Sequence, residues 1–165
     1  MRIVLTGPES TGKTTMAEQL SIWYKGRMIP EFAREYLTNR EGTYNIQDVY
    51  NISARQLQIS KNEYRGSLQI EDTDLLTCYI WLEDKFGIRD KQIWSSLEQW
   101  RPDLYLLCAT DLPWQKDPLR EDQWRRNIIA QKYFKNLERL KVRFCVVEGS
   151  GRQRFNKARF FIESM

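Results

Sequence analysis

Gly7-Pro8-Glu9-Ser10-Thr11-Gly12-Lys13-Thr14 fits the pattern G-x-x-x-x-G-K-[ST] at every position. The apolar, β-branched stretch Ile3-Val4-Leu5 precedes it, and Met16, Ala17, Leu20, Trp23 and Tyr24 follow at helical spacing. Strand, loop and helix in that order are the setting this phosphate-binding loop requires. Its glycines let the backbone turn N–H groups inward, and a helix opening near Gly12 adds the positive end of its dipole. The resulting cradle, Gly7, Glu9, Ser10, Thr11, Gly12 and Thr15 included, suits the α- and β-phosphates of a nucleoside triphosphate. Lys13 is placed to reach the β- and γ-phosphates, and the Thr14 hydroxyl is a ligand position for Mg²⁺.

The 165 residues suffice for one domain, 1–165, with a single substantial core. No composition break, repeat or linker divides them. The apolar runs are too short to span a membrane, and an N-terminus that enters a strand at once argues against a signal peptide. Cys78, Cys108 and Cys145 are odd in number, far apart and set among apolar neighbours, which reads as buried thiols of the cytoplasm rather than disulfides or metal ligands. The chain has no histidine, so any proton acceptor is a carboxylate, a lysine or the substrate itself. A net charge of +4 is modest, and its basic residues gather at 120–143 and 152–159. That suits phosphate handling more than nucleic acid, which calls for a continuous basic stripe.

Beyond the loop, strand-like and helix-like stretches alternate. Strands are expected at 2–6, around Met28-Ile29-Pro30, at 67–72, at 103–109 and at 142–147. Helical faces are expected at Ile46, Val49, Tyr50, Ala54 and Leu57, at Leu75 through Phe86, at Trp124, Ile128, Phe134, Leu137 and Leu140 within 121–140, and in a closing helix that runs to the C-terminus. Such alternation specifies an α/β fold of the P-loop NTPase kind, a parallel five-stranded sheet flanked by helices. Ligands then sit at the carboxyl ends of the strands. No N-K-x-D or L-S-G-G-Q follows a strand, and the length is short for a full AAA+ module. A small nucleoside- or nucleotide-kinase-like protein with a lid at about 110–122 remains.

Four blocks occur in order: residues 7–15, Glu31-Phe32-Ala33-Arg34-Glu35-Tyr36-Leu37, Asp72-Thr73-Asp74-Leu75-Leu76-Thr77 with Ile80-Trp81, and Asp111-Leu112-Pro113-Trp114 with Asp117 and Leu119-Arg120. Together they resemble the nicotinamide riboside kinase domain of NadR-type proteins over nearly the whole chain. The resemblance implies ATP and Mg²⁺ as cofactors and transfer of the γ-phosphoryl group to the 5′-hydroxyl of nicotinamide riboside. Transfer to another nucleoside or nucleotide, or a regulatory module that binds ATP with little turnover, are the competing readings.

Each residue has a chemical role and a plainer one. Glu31 suits a general base that also favours a cationic acceptor; alternatively it pairs with Arg34 or caps a turn. Arg34 suits the acceptor or the γ-phosphate. Asp72, ending a strand, suits Mg²⁺, and Asp74 the ribose hydroxyls, although either can cap the helix beginning at Leu75. Gln69 and Glu71 make that strand alternate in polarity, where an apolar strand is expected. Arg120, or Arg125 or Arg126 in its stead, suits the transferring phosphate; alternatively Asp117 and Pro118 open a helix whose solvated face carries the arginines. Trp114 suits stacking on a pyridinium ring or packing of the lid base. Arg152 or Arg154 suits stacking on adenine beside a Glu148-Gly149-Ser150-Gly151 loop. Trp94, Trp100 and Phe86 suit either the core or a partner or homo-oligomer contact.

Overall fold

A computed structural model describes residues 1–40 and 43–165. The elements run β1 (Arg2–Thr6), α1 (Lys13–Tyr24), β2 (Arg27–Ile29), α2 (Phe32–Thr38), α3 (Ile46–Glu63), β3 (Gln69–Asp72), α4 (Leu75–Phe86), α5 (Lys91–Gln99), β4 (Leu104–Cys108), α6 (Arg126–Leu140), β5 (Phe144–Val147) and α7 (Gly151–Glu163). The five strands form one parallel sheet in the order β2-β3-β1-β4-β5. Central strands of such a sheet are covered on both faces and read as near-continuous apolar runs. Accordingly Ile3, Val4 and Leu5 of β1 and Leu104, Leu106 and Cys108 of β4 are fully buried. One apolar layer joins the sheet to α3, α4, α5 and α6. The other joins it to α1 and α7. Among the described residues no helix is long and apolar enough to cross a membrane.

Several elements depart from the periodicity of the sequence, each for a local reason. β3 buries all four residues despite its alternation. Arg2 resolves the discrepancy. Its guanidinium donates to both Glu71 carboxylate oxygens, at 2.5 and 3.1 Å, and Ser60 Oγ and Gln69 Nε2 add bonds of 2.6 and 2.7 Å. The polar face of β3 thus closes on a buried ionic network instead of on solvent. Helix α3 is polar inward too: Asp48, Ser53, Gln56 and Ser60 are buried with Val49 and Ile52, whereas Ala54 is exposed. Asp48 completes a capping box with Asn45 and takes further bonds from Tyr36 and Arg40.

Helix α6 starts at Arg126 rather than 121, which leaves Trp124 outside it and 89% exposed. Its inward face is Ile129, Tyr133, Asn136, Leu137 and Leu140: Leu137 and Leu140 are buried as expected, whereas Ile128 and Phe134 look outward. Trp94 and Trp100 are not free surface. Trp94 packs on Tyr79 at 5.0 Å beneath the Arg139 guanidinium, and Trp100 lies against Tyr64 and Arg2. The exposed aromatic side chains are instead Trp23, Trp124, Phe134 and Phe160. All three cysteines are free thiols, Cys78 and Cys108 buried and Cys145 half-buried.

Candidate active site

The loop between β1 and α1 is shaped by two glycines. Gly7 has φ 131°, and a Cβ there would meet the Cys108 carbonyl at 2.8 Å, so only glycine lets the loop leave β1 this close to β4. Gly12, at φ 75°, caps α1 with no side chain over the first-turn amides. Those N–H groups therefore remain free to receive an anion. Thr11 Oγ1 and Lys13 Nζ both donate to the Pro8 carbonyl at 2.8 Å, drawing the loop into a ring with the ammonium folded over it.

Parallel pairing of β1 with β3 brings Leu5 opposite Asp72. From there Asp72 Oδ2 accepts a 2.5 Å hydrogen bond from Thr14 Oγ1. Asp72 Oδ1 is buried and has no partner among the described residues. A hydroxyl and a half-satisfied carboxylate side by side at the phosphate loop are hard oxygen donors of the kind Mg²⁺ takes. Among the described residues no group of three His, Cys, Asp or Glu offers a protein-only metal cage. The set therefore fits an ion that keeps waters and phosphate oxygens.

The next turn corrects one expectation. Asp74 does not reach for a ribose, because its carboxylate is already engaged. Oδ1 takes the Leu76 N–H at 3.0 Å, Oδ2 takes the Tyr105 hydroxyl at 2.5 Å, and Arg2 stands 3.6 Å away. Burial pushes its pKa up to about 6, with Arg2 and the Tyr105 hydrogen bond pulling the other way. Asp74 thus caps α4 and ties it to the network under β3. Thr73 between the two aspartates is held at φ 67°, a left-handed conformation that a β-branched residue seldom takes.

A cavity of about 440 Å³ runs from the phosphate loop to a wall formed by α2, α3, α4 and α6. Glu31, Arg34, Trp81, Thr77, Lys85 and Arg120 line it, with Tyr44 meeting Trp81 edge to face at 4.9 Å. Glu31 occupies the N-cap position of α2 yet makes no side-chain cap, and the Phe32 N–H goes to Gln56 Oε1 at 2.8 Å. Arg34 pairs with Asp117 at 3.0 Å instead. Both plainer readings of Glu31 are therefore set aside. Desolvation raises its pKa above the ordinary carboxylate value, and the attraction of Lys13 opposes this.

The segment between β4 and α6 covers the loop, as a lid would. Glu9 Oε2 accepts the N–H groups of Glu121 and Asp122 at 3.0 and 3.2 Å, and Ser10 Oγ accepts that of Gln115 at 2.9 Å. Arg126 spans from the Ser10 carbonyl to that of Leu112. Desolvation raises the Glu9 pKa, against the pull of those two amides. Arg120 donates to the Gln115 carbonyl at 2.7 Å and faces the cavity. Arg125 is committed elsewhere, forked on Asp84 at 2.9 and 2.8 Å. Asp117 caps only a turn, at the Leu119 N–H, because no helix begins there.

Two more expectations change. Trp114 lies under the Arg126 guanidinium, 5.7 Å from ring centre to carbon, and is not part of the cavity wall. Arg154 is 3% exposed and enclosed by backbone carbonyls, so it has no face to offer a base. Arg152 is exposed and, unlike Arg154, off the cavity wall. Sequence reasoning missed Tyr44, Thr77, Lys85 and Tyr133 as cavity residues; Asp84-Lys85, a charged pair within an apolar helical face, was the available signal.

The family profile described as "AAA domain" matches residues 2–154. The trifunctional NAD biosynthesis/regulator protein NadR of Salmonella typhimurium is 23% identical over 141 residues, 82% of this chain and 34% of that protein. The crystal structure of a NadR protein in complex with NR superposes with a TM-score of 0.82 at 17% identity, covering 99% of this chain and 50% of that one. Thymidylate kinase from Ehrlichia chaffeensis follows at 0.69 and 16% identity, covering 99% and 97%. These structures share the fold, and the chain spans about a third of the length of the curated relative. The loop of residues 7–14, the parallel sheet and the profile match agree: the chain belongs to the AAA domain family, within the P-loop proteins.

Proposed function

We propose that this chain transfers the γ-phosphoryl group of ATP to the 5′-hydroxyl of nicotinamide riboside, giving nicotinamide mononucleotide and ADP. The observation that carries the reading is Glu31. It is a carboxylate without a hydrogen-bond partner among the described residues, set in the cavity that joins the phosphate loop to an aromatic-walled end. A structural carboxylate in such a place would be paired; a general base must be free. The similarity to NadR, whose crystal structure contains NR, supports the choice of acceptor.

In this mechanism the amides of the phosphate loop hold the α- and β-phosphates, and Lys13 leaves the Pro8 carbonyl for the β- and γ-oxygens. Glu31 takes the proton of the 5′-hydroxyl as its oxygen attacks the γ-phosphorus, and ADP departs as the leaving group. Thr14 and Asp72 would hold Mg²⁺, which when bound with the nucleotide neutralises charge on the β- and γ-phosphates. Arg120 turns from the Gln115 carbonyl to the transferring group as the lid, residues 110–122, closes and excludes water. Arg34 steers the acceptor, and the negative charge of Glu31 favours a cationic ring.

The test is ADP release from Mg·ATP with nicotinamide riboside, set beside other nucleosides and nucleotides. Stimulation by nicotinamide riboside above the rest is expected. Stimulation by a different acceptor would replace the substrate, and ATP binding without stimulated turnover would replace the kinase reading with a regulatory one.

A further inference from the structure

Arg154, on the first turn of α7, is the most heavily used side chain near the nucleotide end of the cavity. Its Nη1 donates to Asp111 Oδ1 at 2.7 Å and to the Gly149 carbonyl at 3.0 Å. Its Nη2 donates to the carbonyls of Thr11 at 2.9 Å and Ala109 at 3.1 Å. All four terminal hydrogens of the guanidinium are thereby spent, on three separate segments: the phosphate loop, the root of the lid and the loop after β5. Asp111 closes the arrangement by accepting the Gly149 N–H at 2.6 Å. A planar fork of donors can satisfy four acceptors at once, and a lysine ammonium cannot.

The bond to Thr11 has a consequence for chemistry. Every peptide bond described is trans, and in a trans peptide the C=O and the following N–H point in opposite directions. Drawing the Thr11 carbonyl toward Arg154 therefore fixes the Gly12 N–H on the other side. We propose that Arg154 is a positioning residue for phosphate binding: with Asp111 it clamps the Thr11–Gly12 peptide so that the Gly12 N–H is already aimed at the triphosphate when it arrives. The guanidinium touches no substrate. It acts through the loop, and its tie to Asp111 and Gly149 makes the lid root and the β5–α7 loop part of the same clamp.

The test is calorimetric titration of the purified chain with Mg·ADP, comparing wild type with Arg154→Met and Arg154→Lys. A misaimed amide forfeits a hydrogen bond to a charged group, so affinity should fall about 10- to 100-fold in the Met variant. Lysine should leave most of that loss in place. In both, the KM for the phosphoryl acceptor should stay within about twofold, because the acceptor end is untouched; general loosening of the fold would move both parameters together. Should Arg154→Met fail to fold, Asp111→Asn keeps the arginine and removes its charged partner, and a loss of at least about threefold is expected. Mg·ADP affinity in folded Arg154→Met, or in Asp111→Asn, that matches wild type overturns the proposal. The proposal rests on the nucleotide reading above, and the two fail differently. Absence of Mg·ADP binding in the wild-type chain overturns both, whereas wild-type-like binding by the variants overturns this one alone.

Discussion

Glu31→Gln tests the proposed proton acceptor, because the change keeps the shape and removes only the charge. At the N-cap position of α2 the Glu31 side chain makes no cap and has no hydrogen-bond partner among the described residues. No hydrogen bond is lost with the carboxylate, so the fold should not weaken. Its pKa is raised in the folded state, so ionisation opposes folding. The stability contribution of this carboxyl is full below the unfolded value of about 4.3 and is lost as pH rises through the higher folded value. At neutral pH the glutamine variant is free of that cost, and its Tm should equal or slightly exceed that of wild type.

Turnover should move the other way. Losing a general base lowers kcat by about 10²–10⁴, which is roughly 3–5 kcal/mol of barrier. The assay is steady-state ADP release with saturating Mg·ATP and nicotinamide riboside, run across pH beside a thermal melt. Wild-type kcat should rise with pH along an acid limb that the variant lacks. A loss under about tenfold with the acid limb retained would refute the assignment of Glu31 as base.

Other substitutions probe the remaining parts. Lys13→Ala removes the cation folded over the loop and should lower kcat/KM for ATP by roughly two orders of magnitude; unchanged transfer would falsify the catalytic reading of the loop. Asp72→Asn can still accept from Thr14 but carries no charge for a cation, so the Mg²⁺ concentration giving half-maximal rate should rise about tenfold or more, read from a Mg²⁺ titration. Arg2→Met leaves Glu71 buried and without its countercharge. Urea unfolding should show a loss of about 3–5 kcal/mol, with a second change, Glu71→Leu, recovering much of it.

The phosphate loop and the sheet were legible because their information is local. Eight contiguous residues specify the loop, and apolar runs such as Ile3-Val4-Leu5 and Leu104-Tyr105-Leu106-Leu107-Cys108 specify strands covered on both faces. What stayed hidden depends on partners distant in sequence. Gln69 and Glu71 look wrong for a buried strand until Arg2 is placed beside them, 69 residues from Glu71. Asp74 reads equally well as a ribose ligand or a cap, and only the Tyr105 hydroxyl across the sheet decides. Arg154 was expected to stack on a base because composition cannot show that four acceptors converge on it. The misplaced start of α6 has a simpler origin: Trp124 was counted in a helical face although the chain is not yet helical there.

The order of the sheet also says something about how this molecule is made. β1 lies in the middle, and its neighbours are β3 and β4: Ile3 pairs with Ile70 on one side and with Leu104 on the other. The clamp on the phosphate loop spans farther still, since Thr11 and Arg154 are 143 positions apart. A ribosome must therefore deliver about a hundred residues after β1 before both its edges are covered, and α7 before the loop is fixed. Contacts of such range slow folding and leave an apolar strand waiting. On the nucleotide reading proposed above, affinity for ATP then depends on α7 and not on the phosphate loop alone.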